Sequence, residues 1–129
     1  MTSEQKKKIL VIEDDSIIAR LLEHRLTRSG YEVAVESNGK TGLEAIASKR
    51  PDLVLLDIVL PEMDGFAVLR ELNEKKITPA LPVVVISNSG QPVEVDRILD
   101  MGACDYLVKV NFSPQGVLEK VKKCLSHNY

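Results

Sequence analysis

Near the middle of the chain the sequence runs Leu53-Val54-Leu55-Leu56-Asp57, four apolar residues that lead directly to an acid. Apolar runs without polar alternation are typical of strands that are buried on both faces of a parallel sheet. Three similar runs occupy residues 9–12, 83–86 and 106–108. The segment Glu32–Glu36 is bounded by acids, which favours a more exposed edge strand. The sequence therefore predicts five strands.

Apolar residues recur at helical spacing after each predicted strand. The predicted apolar faces consist of Ile17, Ile18, Leu21, Leu22 and Leu26, then Leu43, Ile46 and Ala47, then Phe66, Leu69 and Leu72, then Val95, Ile98 and Leu99, and finally Leu118, Val121 and Leu125. Asp64 and Ser113 are suited to cap helix N-termini, and Gly30, Pro51 and Gly102 are suited to end helices. Strand and helix thus alternate five times, which predicts an α/β fold with a doubly wound (βα)5 parallel sheet.

Composition indicates one ordinary folded domain that spans residues 1–129, with a core over about residues 8–125. The formal net charge of −2 argues against a dedicated nucleic-acid binder. We see no signal peptide and no membrane span, so we expect a cytoplasmic protein with no membrane partner. Cys104 and Cys124 are too few for a disulfide framework, and we expect them to be buried reduced thiols.

Polar residues follow four of the predicted strands. Glu13-Asp14-Asp15, Asp57, Ser87 and Lys109 each come directly after an apolar run. Because the carboxyl ends of parallel strands share one edge, we expect these side chains to meet there, although each alone has an ordinary structural explanation. Asp15 is expected to cap the following helix. The remaining acids would repel one another, and Lys109 supplies only one positive charge.

Oxygen ligands without nearby His or Cys favour a hard ion, namely Mg²⁺. A carboxylate beside Mg²⁺, a lysine and a hydroxyl are the groups that phosphoryl transfer requires. The cluster therefore predicts a phosphoryl group on Asp57.

Three segments resemble a response-regulator receiver domain of the chemotaxis-regulator type, the phospho-acceptor half of two-component signalling. They are residues 9–15 (ILVIEDD), 57–65 (DIVLPEMDG) and 102–109 (GACDYLVK). The resemblance extends over about residues 8–125 and implies a flavodoxin-like sheet with strand order 2-1-3-4-5. It also implies a signalling domain rather than an enzyme, with self-catalysed phosphotransfer and slow loss of phosphate.

The resemblance also implies roles for individual residues. Asp57 would accept the phosphoryl group from a sensor histidine kinase or a histidine phosphotransfer protein. Asp14 and Asp57 would bind Mg²⁺ directly, Glu13 would bind it through a water, and the main-chain carbonyl of Val59 would complete the protein ligands.

Three further residues would respond to phosphorylation. Lys109 would pair with the phosphoryl oxygens, Ser87 would turn its hydroxyl onto them, and Tyr106 would follow Ser87 inward as the switch aromatic. Tyr106 also has a simpler interpretation as a half-buried aromatic of an edge strand.

The sequence departs from the family pattern at three positions. Val110 follows Lys109 in place of proline, so we expect a trans bond there and an altered loop. Asn88 would line and narrow the phosphoryl pocket. The apolar side chain of Val59 cannot orient an attacking water, from which we expect slow loss of phosphate.

We expect a stand-alone regulator that acts through a protein surface and an unidentified downstream target, with a transient dimer left open. By analogy with the family, that surface would include Arg97, Met101, Val108 and Gln115. Alternatives are a receiver excised from a larger regulator and a phosphorylation-independent pseudo-receiver. An aspartyl-phosphate phosphatase is disfavoured because Val59 stands where such enzymes carry a second Asp. A flavodoxin-type carrier is disfavoured because the acids after the first strand would repel a bound phosphate.

Overall fold

The computed structural model describes residues 6–78, 80–87, 91–109 and 113–126. Within these ranges strands and helices alternate as predicted. The elements are β1 (Lys8–Ile12), α1 (Ser16–Arg28), β2 (Glu32–Glu36), α2 (Gly39–Lys49), β3 (Leu53–Asp57), α3 (Gly65–Glu74), β4 (Val83–Ser87), α4 (Pro92–Asp100), β5 (Asp105–Val108) and α5 (Pro114–Ser126).

All described strand pairs are parallel, and the sheet order is β2-β1-β3-β4-β5. This confirms the predicted flavodoxin-like arrangement. The strand register places the polar residues side by side. Ile12 pairs with Leu56, so Glu13 and Asp57, the residues that follow them in the chain, come to the same level, and Asp57 pairs in turn with Ile86, the residue before Ser87. Residues that follow the paired ends of β1, β3, β4 and β5 therefore come to one edge of the sheet.

The sheet separates two apolar cores, one on each face. The prediction of burial on both faces is confirmed for β1, β3 and β4, whose apolar residues are all buried. It is wrong for β5, where Tyr106 and Val108 are only half-buried. The reason is topological, because β5 lies at the edge of the sheet, as does β2.

The helix caps form as expected. The Asp15 carboxylate accepts hydrogen bonds from the Ile17 and Ile18 N–H groups, and Asp64 accepts one from Ala67. Ser113 Oγ accepts the N–H of Gly116 at the start of α5. These side chains supply acceptors that the first helical turn lacks, so each fixes where its helix begins.

The predicted apolar face of α1 is too wide. Ile17 and Leu21 are 72% and 60% exposed, whereas Leu22 and Leu26 are buried. At about 100° of rotation per residue, the predicted set spans roughly half of the helix circumference, more than one packing face can cover. Ala47 on α2 and Leu99 on α4 are also exposed, so the predicted apolar faces of these helices include residues that do not pack against the sheet.

The prediction of reduced cysteines is wrong in this structure, because Cys104 and Cys124 form a disulfide. Cys104 directly precedes β5 and Cys124 lies on the buried face of α5, and the two Cα atoms are 6.2 Å apart. That separation results from α5 packing back along the sheet, which the spacing of the two cysteines in the sequence does not reveal.

Candidate functional site

Three carboxylates meet at the carboxyl edge of the sheet. Glu13 and Asp14 follow β1 and Asp57 ends β3, and one oxygen from each lies within 4.8 Å of the others. Glu13 and Asp57 are buried, whereas Asp14 is exposed. The structure thus brings together the acids that the sequence placed at this edge, and it leaves one of them open to solvent.

Lys109, which follows β5, extends across the sheet edge to these acids. Its Nζ lies 2.9 Å from Asp57 Oδ2 and 3.3 Å from Glu13 Oε2. Burial lowers the pKa of Lys109, but the hydrogen bond and the charge of Asp57, together with Glu13, outweigh that effect and raise the pKa above its usual value. The lysine is therefore a cation at neutral pH, paired with two carboxylates.

The charge of the cluster is not balanced by Lys109. Burial, followed by the hydrogen bond and the charge of Asp57, raises the pKa of Glu13 to about 7. Glu13 Oε2 accepts the N–H of Asp15, but the buried Oε1 has no hydrogen-bond partner among the described residues. A buried oxygen without a donor and an excess of negative charge fit a hard divalent cation, and oxygen donors without nitrogen or sulfur are what Mg²⁺ binds.

The loop after β3 contacts both the side chain and the main chain of Asp57. The N–H of Val59 donates to Asp57 Oδ1 at 3.1 Å, and the Val59 side chain is 55% exposed beside the acidic cluster. The loop is closed by Gly65, whose N–H donates to the Ile58 carbonyl at 2.8 Å. A Cβ on Gly65 would lie 2.3 Å from the main-chain oxygen of Asp57, so a side chain there would displace the loop. From the sequence, Gly65 was recognised only as the last residue of the 57–65 segment.

Ser87 ends β4 and is fully buried. Its hydroxyl donates a hydrogen bond to Glu94 Oε1, in the first turn of α4. The sequence pattern did not predict a role for Glu94, whose one signal is that of an acid at the start of a predicted helix. Asn88, predicted to line the pocket, lies outside the described residues, as does Val110.

Tyr106 is half-buried on β5, and Lys120 Nζ lies 4.6 Å from the centre of its ring. The tyrosine therefore packs against α5 in this structure, an environment that agrees with its simpler interpretation as an edge-strand aromatic.

The residues of the predicted partner surface lie on α4, directly after it, on β5 and on α5. Gln115 is exposed, and Met101 and Val108 are half-buried. Arg97 is exposed, yet its guanidinium lies 3.9 Å from the centre of the Phe66 ring, so it packs towards α3.

The fold and this cluster define a receiver domain of the response-regulator class. A family model described as the response regulator receiver domain matches residues 9–122. The chain belongs to this family, as the resemblance predicted. None of its described helices is long and apolar enough to cross a membrane.

Curated relatives include the alkaline phosphatase synthesis transcriptional regulatory protein PhoP of Bacillus subtilis, 38% identical over 121 residues, which cover 92% of this chain and 48% of PhoP. The probable transcriptional regulator ycf27 of Porphyra purpurea is 38% identical over 121 residues, 94% of this chain and 48% of that protein. The chain thus spans about half the length of the curated relatives it matches.

Solved structures of high similarity include a CheY-like response regulator receiver domain protein from Methanospirillum hungatei. It has a TM-score of 0.85 and 30% identity, and the match covers 94% of each chain. The BeF3-activated receiver domain of RstA from Klebsiella pneumoniae has a TM-score of 0.85 and 33% identity, with 94% of this chain and 100% of that chain covered.

Proposed function

We propose that this chain accepts a phosphoryl group on Asp57 in an Mg²⁺-dependent reaction. The observation that carries the proposal is the environment of Asp57, which is buried, lies 2.9 Å from Lys109 Nζ and has the Glu13 and Asp14 carboxylates within 4.8 Å. The donor would be the phosphohistidine of a sensor histidine kinase or of a histidine phosphotransfer protein.

In the transfer, a carboxylate oxygen of Asp57 forms a bond to phosphorus. The bond between phosphorus and the donor imidazole nitrogen breaks, and that nitrogen keeps the electron pair. The hydrogen bonds to Asp57 from Lys109 Nζ and from the Val59 N–H hold the carboxylate in one orientation before the donor arrives. Lys109, as a cation at neutral pH, then pairs with the phosphoryl oxygens.

Glu13, Asp14, Asp57 and the main-chain carbonyl of Val59 are the groups that would hold Mg²⁺. When bound, the ion neutralises charge that develops on the phosphoryl oxygens. The unpartnered Oε1 of Glu13 and the exposed carboxylate of Asp14 support this assignment. Both leave oxygen lone pairs that the described protein groups do not use.

The signal would pass from the phosphoryl group to a binding surface. In this proposal the Ser87 hydroxyl moves to the phosphoryl oxygens, Tyr106 follows, and the surface that contains Arg97, Val108 and Gln115 changes its affinity for a partner. The end of β4, where Ser87 lies, is paired with β5, where Tyr106 and Val108 lie.

The downstream partner on which the whole protein acts is a separate question from phosphorylation of Asp57. The curated relatives are named as transcriptional regulators, so the comparisons do not support the expected absence of a nucleic-acid partner. Stand-alone action, a cytoplasmic location and action through a protein target stay predictions.

Incubation with acetyl phosphate, with and without Mg²⁺, tests the reaction. Intact mass should show a single phosphoryl addition that requires Mg²⁺ and is lost in Asp57→Asn. Asp52→Asn is a matched control, because Asp52 lies just before the opposite end of the same strand, and this variant should be phosphorylated normally. Addition to Asp57→Asn, or addition that is independent of Mg²⁺, would contradict the proposal. If no donor phosphorylates the chain, a phosphorylation-independent module becomes the better explanation.

A further inference from the structure

The hydroxyl of Ser87 is engaged on the side of α4 in this structure. The backbone of Ser87 is held in the sheet, where the N–H of Lys109 donates to the Ser87 carbonyl at 2.8 Å. Its Oγ donates to Glu94 Oε1 on α4. A rotation about the side-chain bond would therefore move the hydroxyl without moving the strand.

We propose that Glu94 is a positioning residue that holds the Ser87 hydroxyl in competition with a phosphoryl group on Asp57. This inference rests on the proposed function. A serine hydroxyl carries one proton, so a strong bond donated to the Glu94 carboxylate competes with one donated to a phosphoryl oxygen. Both acceptors are anionic, which makes the two hydrogen bonds comparable in strength and the competition sensitive to either partner.

The location of Glu94 gives the competition a consequence beyond the site. Glu94 is half-buried in the first turn of α4, where the helix dipole favours a carboxylate. When Ser87 turns to the phosphoryl group, Glu94 loses the hydrogen bond from the Ser87 hydroxyl. Arg97, a residue of the predicted partner surface, lies one turn further along the same helix. Removal of the Glu94 acceptor should therefore favour the phosphorylated conformation of Ser87 before any phosphoryl group is present.

Binding of beryllofluoride in the presence of Mg²⁺ measures this competition, because the anion stands in for the phosphoryl group without a covalent step. Glu94→Met keeps the side-chain length and removes the oxygen acceptor, and it should tighten beryllofluoride binding about tenfold. Glu94→Gln keeps a neutral acceptor and should tighten binding less, by about threefold. Isothermal titration gives the apparent Kd, and a urea melt shows whether each variant is folded.

Ser87→Ala distinguishes a Glu94 that acts through the Ser87 hydroxyl from a Glu94 with a merely structural role. Without the hydroxyl there is nothing for Glu94 to hold, so Glu94→Met should change beryllofluoride affinity by less than about twofold in the Ser87→Ala background. Equal tightening in both backgrounds, or no tightening in the Ser87 background, would overturn the proposal. If Glu94→Met does not fold, the nearly isosteric Glu94→Gln carries the same comparison.

The proposed function and this inference fail in distinguishable ways. Wild-type chain that binds beryllofluoride with Mg²⁺, and is phosphorylated on Asp57, satisfies the proposed function whatever Glu94 does. Wild-type chain that does neither contradicts both proposals, because there is then no phosphoryl group with which Glu94 could compete.

Discussion

Among single residues, Lys109 shows how one side chain can make a buried cluster tolerable. Its ammonium pairs with Asp57 and Glu13, and both of these carboxylates are buried. A charged carboxylate in such a place is stabilised by a cation that faces it, because the surrounding protein screens charge less than water does. The same cation is the one that we propose pairs with the phosphoryl group.

Replacement of Lys109 by methionine should lower the free energy of unfolding by about 3 kcal/mol in the absence of Mg²⁺, because it leaves two buried carboxylates without their lysine. Urea denaturation in the presence of a chelator measures the change. Lys75→Met is the control, since Lys75 forms an exposed pair with Glu71 and should contribute little. Similar losses in the two variants would show that the ion pairs of Lys109 do not stabilise the cluster.

A second residue-level prediction concerns the lifetime of the phosphoryl group. The exposed Val59 side chain offers no hydrogen bond to an attacking water. Val59→Asn should therefore shorten the lifetime by about fivefold, the effect of one hydrogen bond to the water. Loss of phosphoryl mass after removal of the donor gives the rate, and Val59→Ala should match wild type. A wild-type lifetime of seconds that Val59→Asn lengthens would contradict this explanation.

At the scale of elements, β5 and α5 are joined by more than apolar packing. Asp105, at the start of β5, accepts hydrogen bonds from Lys120 Nζ at 3.2 Å and from Lys123 Nζ at 2.8 Å. The disulfide lies beside these ion pairs, because Cys104 directly precedes Asp105 and Cys124 directly follows Lys123. The two attachments hold an edge strand against its helix, and we expect each to contribute separately to stability.

The ion pairs of Asp105 should make stability depend on pH. Burial raises the pKa of Asp105, but the hydrogen bonds from Lys123, Tyr106 and Lys120 outweigh burial and lower it. A lowered pKa stabilises the fold above the ordinary aspartate range, and this contribution is lost as pH falls through the folded-state value.

Asp105→Asn should therefore lower the free energy of unfolding by about 1–2 kcal/mol at pH 7. This difference between variant and wild type should become smaller as the pH falls below the ordinary range of aspartate pKa values. Urea melts between neutral and acid pH measure it, with the exposed Glu119→Gln as control. A difference that is constant over this range would rule out the ion pairs as its cause.

Reduction of the Cys104–Cys124 disulfide should lower the free energy of unfolding by about 3 kcal/mol, because the bond closes a loop with a sequence separation of 20. Denaturation with and without a thiol reductant tests this, and the double variant Cys104→Ser/Cys124→Ser should not respond to reductant. Labelling of both cysteines by iodoacetamide in the native, unreduced protein would show that the bond is not formed.

At the scale of the whole molecule, Mg²⁺ would connect β1 to the β3 loop, and so link stability to ligand concentration. An ion that binds only the folded chain stabilises it by about 2.7 kcal/mol at a concentration 100 times its Kd. Asp14→Asn should abolish this gain and should also stabilise the metal-free chain, because it removes one of three mutually repelling carboxylates. Thermal melts over a Mg²⁺ titration would show both effects, and a gain that persists in Asp14→Asn would place the ion elsewhere.

The strands, the caps and the acids at the sheet edge were predictable from the sequence because they depend on local chemistry. An apolar run such as residues 83–86 is typical of a strand that is buried between two layers. Asp15 and Asp64 are capping residues wherever a helix follows them. A parallel sheet then brings Asp14, Asp57 and the other strand-end residues to one edge whatever their separation in the chain.

Other features followed only from the rotation and packing of the helices. The exposure of Ile17 and Leu21 depends on which arc of α1 faces the sheet. The bond from Ser87 to Glu94 depends on where the first turn of α4 lies relative to β4. The disulfide depends on α5 returning to the start of β5. The sequence by itself determined the elements and the residues at the sheet edge, and tertiary packing decided the contacts between elements, because these are set by non-local distances that no spacing along the chain records.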